Sequence, residues 1–439
     1  MKKSPSFTCG PKVRSWVARD SKVISPSYTR SYPAVIVRGK GAIVWDADGR
    51  SYLDFSAGIA VMNTGHGHPK VLAAIRKQSA QLVHMSGTDF YYPVQILLAE
   101  KLAKIFPGNE DVKTFFANSG TETIEAGLKL ARYKTRRPRF LGFTGAFHGR
   151  TFGSLSITNS KPTQKRGFAP FLPDVSHAPY AYCYRCPLNL KYPSCKTACA
   201  DYIEDEMFKM RIPGEEVAAI IVEPIQGEGG YVVPPADWLA KIQKIAQKYG
   251  ILLLADEIQS GMGRTGKMYA LEHFGVVPDM LAMAKGIASG MPLCALAAKA
   301  KVMDWPPGAH ASTFGGNPVS CAAALATINL LEKGLIANAK VQGEYLAQGL
   351  RELQREFPVI GDIRGIGLMM AIELVKDPVT KERASELREA VVDECYRRGL
   401  IILGCGVNSI RFAPPLTIGP KDVDKALDIL RASLKACLR

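Results

Sequence analysis

The chain has 439 residues, 47% of them hydrophobic, with a mean hydropathy of zero. That is too long for one simple core, so two domains, or a large one with a smaller companion, are predicted. The net charge of +16 is scattered, densest at Arg136-Arg137-Pro138-Arg139. With no basic stripe interleaved with aromatics it argues against a nucleic-acid partner and for a solvated surface that draws in anionic substrates.

In chain order, Met1–Phe7 is basic with no apolar stretch behind it, so it is not a secretory signal and a cytoplasmic protein is expected. Residues 1–45 read as irregular apart from a β-like Ala34-Val35-Ile36-Val37. Residues 41–54 read as a hairpin turning at Asp48-Gly49. Helical spacing covers 69–83 and 94–106. From 112 to 325 apolar, strand-like runs alternate with helical segments, which is the α/β pattern. An Ala-rich helix starts at 318 and runs through Leu331. One strand over 363–374, a helix over 381–398, strands near 400–403 and 409–413 and a helix over 420–437 complete a small α+β unit. No apolar stretch approaches the roughly 20 residues of a membrane span, so no membrane partner is expected. The division is 1–68 as an N-terminal segment, 69–325 as a large domain and 326–439 as a small one.

Three apolar runs each end in one charged group. Ala218–Val222 delivers Glu223, Ile251–Ala255 delivers Asp256, and Met280–Ala284 delivers Lys285. In an open α/β sheet such ends line one crevice, where ligands bind. A buried amine there is a candidate for Schiff-base chemistry. Asn118-Ser119-Gly120-Thr121-Glu122 sits between a strand and a helix. It reads both as a capping box, Ser119 with Glu122, and as an anion site at a helix N-terminus. In Phe147-His148-Gly149-Arg150-Thr151, Phe147 is either core or a stacking partner for a planar ring. Arg150 is either a surface charge or a fork for a carboxylate. A strand-end Asp against a pyridinium nitrogen, with a strand-end Lys for an aldehyde, is the pyridoxal phosphate arrangement.

Ten cysteines are present. Cys9, Cys294, Cys321, Cys395, Cys405 and Cys437 stand alone and read as reduced, mostly buried thiols. Cys183, Cys186, Cys195 and Cys199 fall together. Their spacing admits zinc or an iron–sulfur cluster, or a disulfide, or plain packing. Any such metal would be structural; no metal is assigned to catalysis.

Six motifs carry a resemblance over about residues 30–435. They are Asn118–Glu122, Phe147–Thr151, Glu223–Gly230, Ala255–Gly261, Ala284-Lys285-Gly286 and Thr313–Pro318. The chain resembles class III (subgroup II) pyridoxal-phosphate aminotransferases, the 4-aminobutyrate, ornithine and acetylornithine enzymes. The resemblance implies fold type I: a large domain with a mainly parallel sheet between helices, plus a smaller α+β domain. It implies pyridoxal 5'-phosphate as cofactor, with amino-acid and 2-oxo-acid substrates. It also implies a homodimer or higher assembly with shared sites.

Residue by residue, it implies that Lys285 carries the cofactor as a Schiff base and shuttles the proton, and that Asp256 partners the ring nitrogen. Ser119, Gly120 and Thr121 hold the phosphate. Phe147 and Ile258 take the two ring faces, Gln259 reaches the phenolic oxygen, and His148 and Glu223 complete the cofactor set. Thr313 reaches the partner's phosphate. Arg411 binds a substrate carboxylate, and Glu228 pairs with it when the donor lacks one there. Arg150 takes a far carboxylate, and Ile59 lies near the substrate. The stretch Ser56–Pro69 and Glu228 favour the 4-aminobutyrate branch, with transfer to 2-oxoglutarate. The alternatives are an ornithine or acetylornithine aminotransferase, or an amino-acid racemase or 2-epimerase. In the racemases, Asp is the more typical residue at the position of Glu228.

Overall fold

In the computed structural model, which describes residues 9–439, the three charged apolar runs become neighbouring strands. The reading of Met1–Phe7 lies outside the described residues. The first sheet starts with β1 (Ile36–Lys40), β2 (Ile43–Asp46) and β3 (Ser51–Asp54), antiparallel in that order. The central sheet contains β4 (Val112–Ala117), β5 (Arg139–Phe143), β6 (Val175–Ala178), β7 (Val217–Val222), β8 (Leu252–Asp256), β9 (Met280–Met283) and β10 (Cys294–Lys299). Their spatial order is β4-β10-β9-β8-β7-β5-β6. Strands β9, β8, β7, β5 and β6 are parallel, and β10 runs antiparallel to both β9 and β4. Two reversals bring β4 back into the direction of β9. The carboxyl ends of β4, β5, β7, β8 and β9 therefore open on one edge.

The strands read as unbroken apolar runs because both faces are covered. Every residue of β7 and β9 is buried. Alternate residues face opposite layers: Met280 and Ala282 join Ile124 and Leu128 of the Gly120–Thr135 helix, while Leu281 and Met283 join the layer of Trp238 and Ile242. The Trp238–Tyr249 helix stops at Gly250, whose φ of 63° is left-handed and costs glycine little.

The third sheet holds β11 (Ile360–Ile366), β12 (Met369–Leu374), β14 (Leu403–Cys405) and β15 (Ser409–Phe412), all antiparallel, in the order β11-β12-β15-β14. Strand β13 (Leu400–Ile401) leaves it and pairs in parallel with β3, so the C-terminal stretch completes the N-terminal sheet. The Pro318–Leu330 helix packs on the Pro69–Gln81 and Pro93–Ile105 helices.

Four expectations need correction. The described part of 1–45 is not irregular throughout, because Pro11–Val23 is a helix starting with Pro at its first turn and burying only Val13. Residues 363–374 are not one strand: the left-handed Gly367 (φ 58°) turns β11 back into β12. One helical run, Pro318–Glu356, is long and apolar enough, by length and composition alone, to cross a membrane. Half of its apolar window is buried in the protein, and Gly334 breaks its helical geometry. Finally, Ser119 is the N-cap of the Gly120–Thr135 helix, but its side chain accepts nothing. Its hydroxyl donates to Glu122 Oε2 (2.6 Å), and that carboxylate also accepts the amide N–H of Asn118 (3.2 Å).

Candidate active site

The shared strand edge brings together most of the residues singled out in the sequence. Asp256 ends β8 and is 4% exposed. Its Oδ1 accepts the N–H of Ile258 (3.0 Å) and its Oδ2 faces His148 Nδ1 (2.7 Å). His148 lies beyond β5, itself buried. Burial opposes its protonation, but the hydrogen bond and charge of Asp256, with Glu223 behind, outweigh that and raise its pKa. The His148–Asp256 contact is therefore a charge-assisted pair, closed off from water. Glu223 follows β7 and accepts the N–H groups of Phe147 (2.9 Å) and Gly227 (2.8 Å). Burial is the main force pushing its carboxyl upward.

Lys285 sits two residues past β9, partly buried. Its φ of +44° is left-handed, a strained conformation for a side chain of this size and a mark of functional sites. Burial lowers its pKa first, with the nearby Arg411 guanidinium, against the pull of Asp256. An amine lowered in this way gives up its proton more readily than a solvated lysine, as a nucleophile requires.

At the end of β4 the amides of the Gly120–Thr135 helix face the same edge without a capping side chain. Thr121 Oγ1 lies 2.7 Å from Thr151 Oγ1 and 2.6 Å from Ser154 Oγ. Ile258 presses on Gly120: a Cβ there would stand 2.9 Å from Ile258 Cδ1. Glycine at that position is therefore required by close approach. Phe147 is half-buried with Arg150 over its ring at 5.9 Å, and Arg150 is otherwise exposed. Gln259 accepts from the buried Tyr231 hydroxyl (2.9 Å).

Arg411 lies on β15, buried, with Nη1 3.2 Å from Glu228 Oε2. Glu228 also holds Lys161 Nζ at 2.5 Å. Burial would raise the Glu228 pKa, but Arg411 and Lys161 bring it below its usual value. Lys161 and Tyr231 were not singled out from sequence, since no motif or periodicity marks them. Ile59 stands on a left-handed kink (φ 69°) and is 47% exposed; its short helix, Ala57–Ala60, packs against the turn Lys285–Ile287. Thr313 is also exposed. Its neighbour Ser312 accepts from Asn118 Nδ2 (3.1 Å), which brings the loop beside the helix N-terminus.

Cys183, Cys186, Cys195 and Cys199 line one cavity of about 10 Å³. All are free thiols. Burial, then the neighbouring thiols, push Cys199 up to about 12. Among the described residues no group of three or more His, Cys, Asp or Glu side chains is arranged to hold a metal ion.

The residues at the strand edge suit an anionic, planar cofactor. A buried His148 Nε2 has no protein partner. The helix presents uncapped amides, a ready anion site, and a buried acid and an amine face each other across the crevice.

Comparisons with known proteins agree. Residues 24–434 match the family model for class-III aminotransferases. The chain is 38% identical to a probable 4-aminobutyrate aminotransferase of Bacillus subtilis, over 96% of this chain and 97% of that one. It is 41% identical to a leucine/methionine racemase of Thermococcus litoralis, over 95% and 94%. A crystal structure of an amine transaminase from an uncultivated Pseudomonas species, in its PLP-bound form, superposes with a TM-score of 0.88 at 32% identity, covering 94% of this chain and 98% of that one. This chain belongs to the class III aminotransferase family, whose enzymes act with pyridoxal 5'-phosphate on amino-acid and 2-oxo-acid substrates.

Proposed function

We propose that this enzyme moves an amino group from an ω-amino acid of the 4-aminobutyrate type to 2-oxoglutarate. The observation that carries the reading is the Arg411–Glu228 pair, 3.2 Å apart beside Lys285. An arginine that can be masked by its own carboxylate accepts an apolar donor end when paired and a substrate carboxylate when freed. A fixed arginine would serve only the second.

Bound pyridoxal phosphate supplies an aldehyde for the amine and a ring that takes up electrons. The chain does the rest. Lys285, its amine lowered by burial, takes the proton from the amine-bearing carbon and returns it. Asp256 would hold a proton on the ring nitrogen, with His148 fixing its carboxylate from behind. Glu223 would lie beside the cofactor and Gln259 would meet the phenolic oxygen. Ser119, Gly120 and Thr121 would receive the phosphate at the helix N-terminus, with Phe147 and Ile258 holding the ring between them. Arg150, exposed at the rim, takes a far carboxylate, and Ile59 borders the substrate.

Two copies would share the site through Thr313. Phe314 (61% exposed) touches the ring of His84, and Phe90 and Tyr91 are exposed as well. An apolar surface of that kind suits a partner. The division into residues 1–68, 69–325 and 326–439 and a place in the cytoplasm belong to the same reading.

The racemase reading has its own support, a relative of that name at 41% identity. One experiment separates the two. A panel of ω-amines and both enantiomers of α-amino acids is incubated with and without 2-oxoglutarate. Acceptor-dependent turnover of ω-amino acids supports transfer. Loss of optical rotation with no acceptor supports racemisation and overturns our reading.

A further inference from the structure

The phenol of Tyr231 is sealed from water, and its hydroxyl donates to Gln259 Oε1 at 2.9 Å. The backbone holds it there under strain. Its φ of +54° is left-handed, a conformation that is unfavourable for a side chain of this size and collects at functional sites. Its N–H donates to the carbonyl of Gly227 (3.2 Å), and Gln226 and Val232 exchange backbone hydrogen bonds around it (3.0 and 3.1 Å). Gly227 also crowds Gln259, since a Cβ there would stand 2.2 Å from Nε2. The Gln259 amide is therefore clasped between the phenol and the loop that follows β7.

A glutamine amide can meet a partner with its acceptor or with its donor. Tyr231 decides the matter here. Burial pushes its phenol up to about 12, against the opposing charges of Arg411 and Arg264, so the hydroxyl keeps its one proton. The two guanidinium groups attract its lone pairs, which leaves that proton for Gln259. The Gln259 carbonyl is thus taken. Its Nε2 has no acceptor among the described residues and is left as a donor to the crevice. With the amide reversed, an acceptor oxygen would face the phenolic oxygen of pyridoxal phosphate, itself an acceptor once ionised. We infer that Tyr231 is a positioning residue that fixes Gln259 with its amide nitrogen toward the phenolic oxygen of the cofactor. The inference rests on the contact between Gln259 and that oxygen in the proposed function. A tyrosine that only filled space would support every part of the cofactor alike, so the two cases are separable.

The test sets pyridoxal phosphate against its 3-deoxy analogue, which keeps the aldehyde, the ring and the phosphate but lacks the phenolic oxygen. Each is titrated into the cofactor-free enzyme, and fluorescence reads the Kd. We expect Tyr231→Phe, which removes only the hydroxyl, to weaken pyridoxal phosphate about tenfold, the scale of one hydrogen bond to a charged oxygen. The Kd of the deoxy analogue stays unchanged. In a Gln259→Leu background the tyrosine change has no further effect, because the two residues act as one unit. Gln259→Glu, whose carboxylate still accepts from Tyr231 but cannot donate, weakens pyridoxal phosphate and spares the analogue. Equal losses for the two compounds in Tyr231→Phe, or no loss for either, would overturn the proposal. So would a loss that persists undiminished in the Gln259→Leu background, since the tyrosine would then act without the amide. Circular dichroism checks folding, and Tyr231→Met carries the same comparison if the Phe variant does not fold. If Gln259→Leu binds both compounds as wild type does, Gln259 does not meet the phenolic oxygen, and it is that underlying reading which falls.

Discussion

Replacing His148 with Ala tests the deepest contact in the site. Its Nδ1 lies 2.7 Å from Asp256 Oδ2, and both residues are nearly sealed from water, at 2% and 4% exposure. Without it, Asp256 keeps the Ile258 amide as donor and would face the ring nitrogen less well supported. A hydrogen bond to a charged group contributes about 1.5–3 kcal/mol, and each 1.36 kcal/mol is tenfold in rate. The single-turnover rate should therefore fall about 10- to 150-fold. Stopped-flow absorbance of the holoenzyme mixed with amino donor reads this, with circular dichroism as the check on folding. His148→Asn, whose amide nitrogen can stand where Nδ1 stood, should recover much of the loss. The pair also links to pH. The folded pKa of His148 lies above its ordinary 6.5. Its stabilisation is present in full below that value and is lost as pH rises through the folded one. Wild type should lose thermal stability relative to His148→Asn as pH climbs past about 6.5. A wild-type rate in His148→Ala would refute the reasoning.

Lys285→Ala should leave pyridoxal phosphate binding measurable by fluorescence while abolishing turnover; retained turnover would remove Lys285 from its role. Arg411→Met should cut kcat/KM for 2-oxoglutarate about 100-fold, the scale of a charged bidentate contact, and affect an amine donor that carries no carboxylate much less. Equal losses for the two would contradict the masking scheme. Glu257, 1% exposed, accepts the N–H of Leu271 (2.7 Å), and burial pushes its carboxyl up to about 7. A folded pKa raised above the ordinary 4.5 means stability is present at low pH and lost as pH rises between about 4.5 and 7, up to about 3 kcal/mol. Glu257→Gln should therefore melt higher than wild type at pH 8, with the advantage gone at pH 5. Parallel melting curves at the two pH values would rule this out.

What the sequence makes legible follows from how locally each feature is determined. Strands β7, β8 and β9 show as apolar runs because each is buried on both faces, and their terminal Glu223, Asp256 and Lys285 stand out because a charge ends each run. The β2–β3 hairpin shows because Asp48-Gly49 is a turn pair in its own right. The Pro11–Val23 helix does not, since it buries only Val13 and so leaves no apolar stripe to read. The β11–β12 turn is hidden because Gly367 joins two apolar strands with no polar break, and only its packing on Thr265 reveals the bend. Ser119 and Glu122 have the spacing of a capping box, yet the carboxylate turns to the amide of Asn118, a choice set by tertiary surroundings.

Lys161 is the limiting case. It lies 67 positions from Glu228 in sequence, no period links them, and a lone lysine in a loop is ordinarily a solvated charge. Its meaning exists only once β5, β7 and β15 have brought their loops together. Motif matching recovers the Arg411–Glu228 pair because both positions sit inside recognisable stretches. It cannot recover the cation that competes for the same carboxylate. If Glu228 masks Arg411, then Glu228→Asp, which carries the residue more typical of the racemases and a shorter side chain, loosens the 3.2 Å contact and should shift turnover from 4-aminobutyrate toward donors with a carboxylate beside the reacting carbon. An unchanged ratio of 4-aminobutyrate to glutamate turnover would show that the pair does not select the donor.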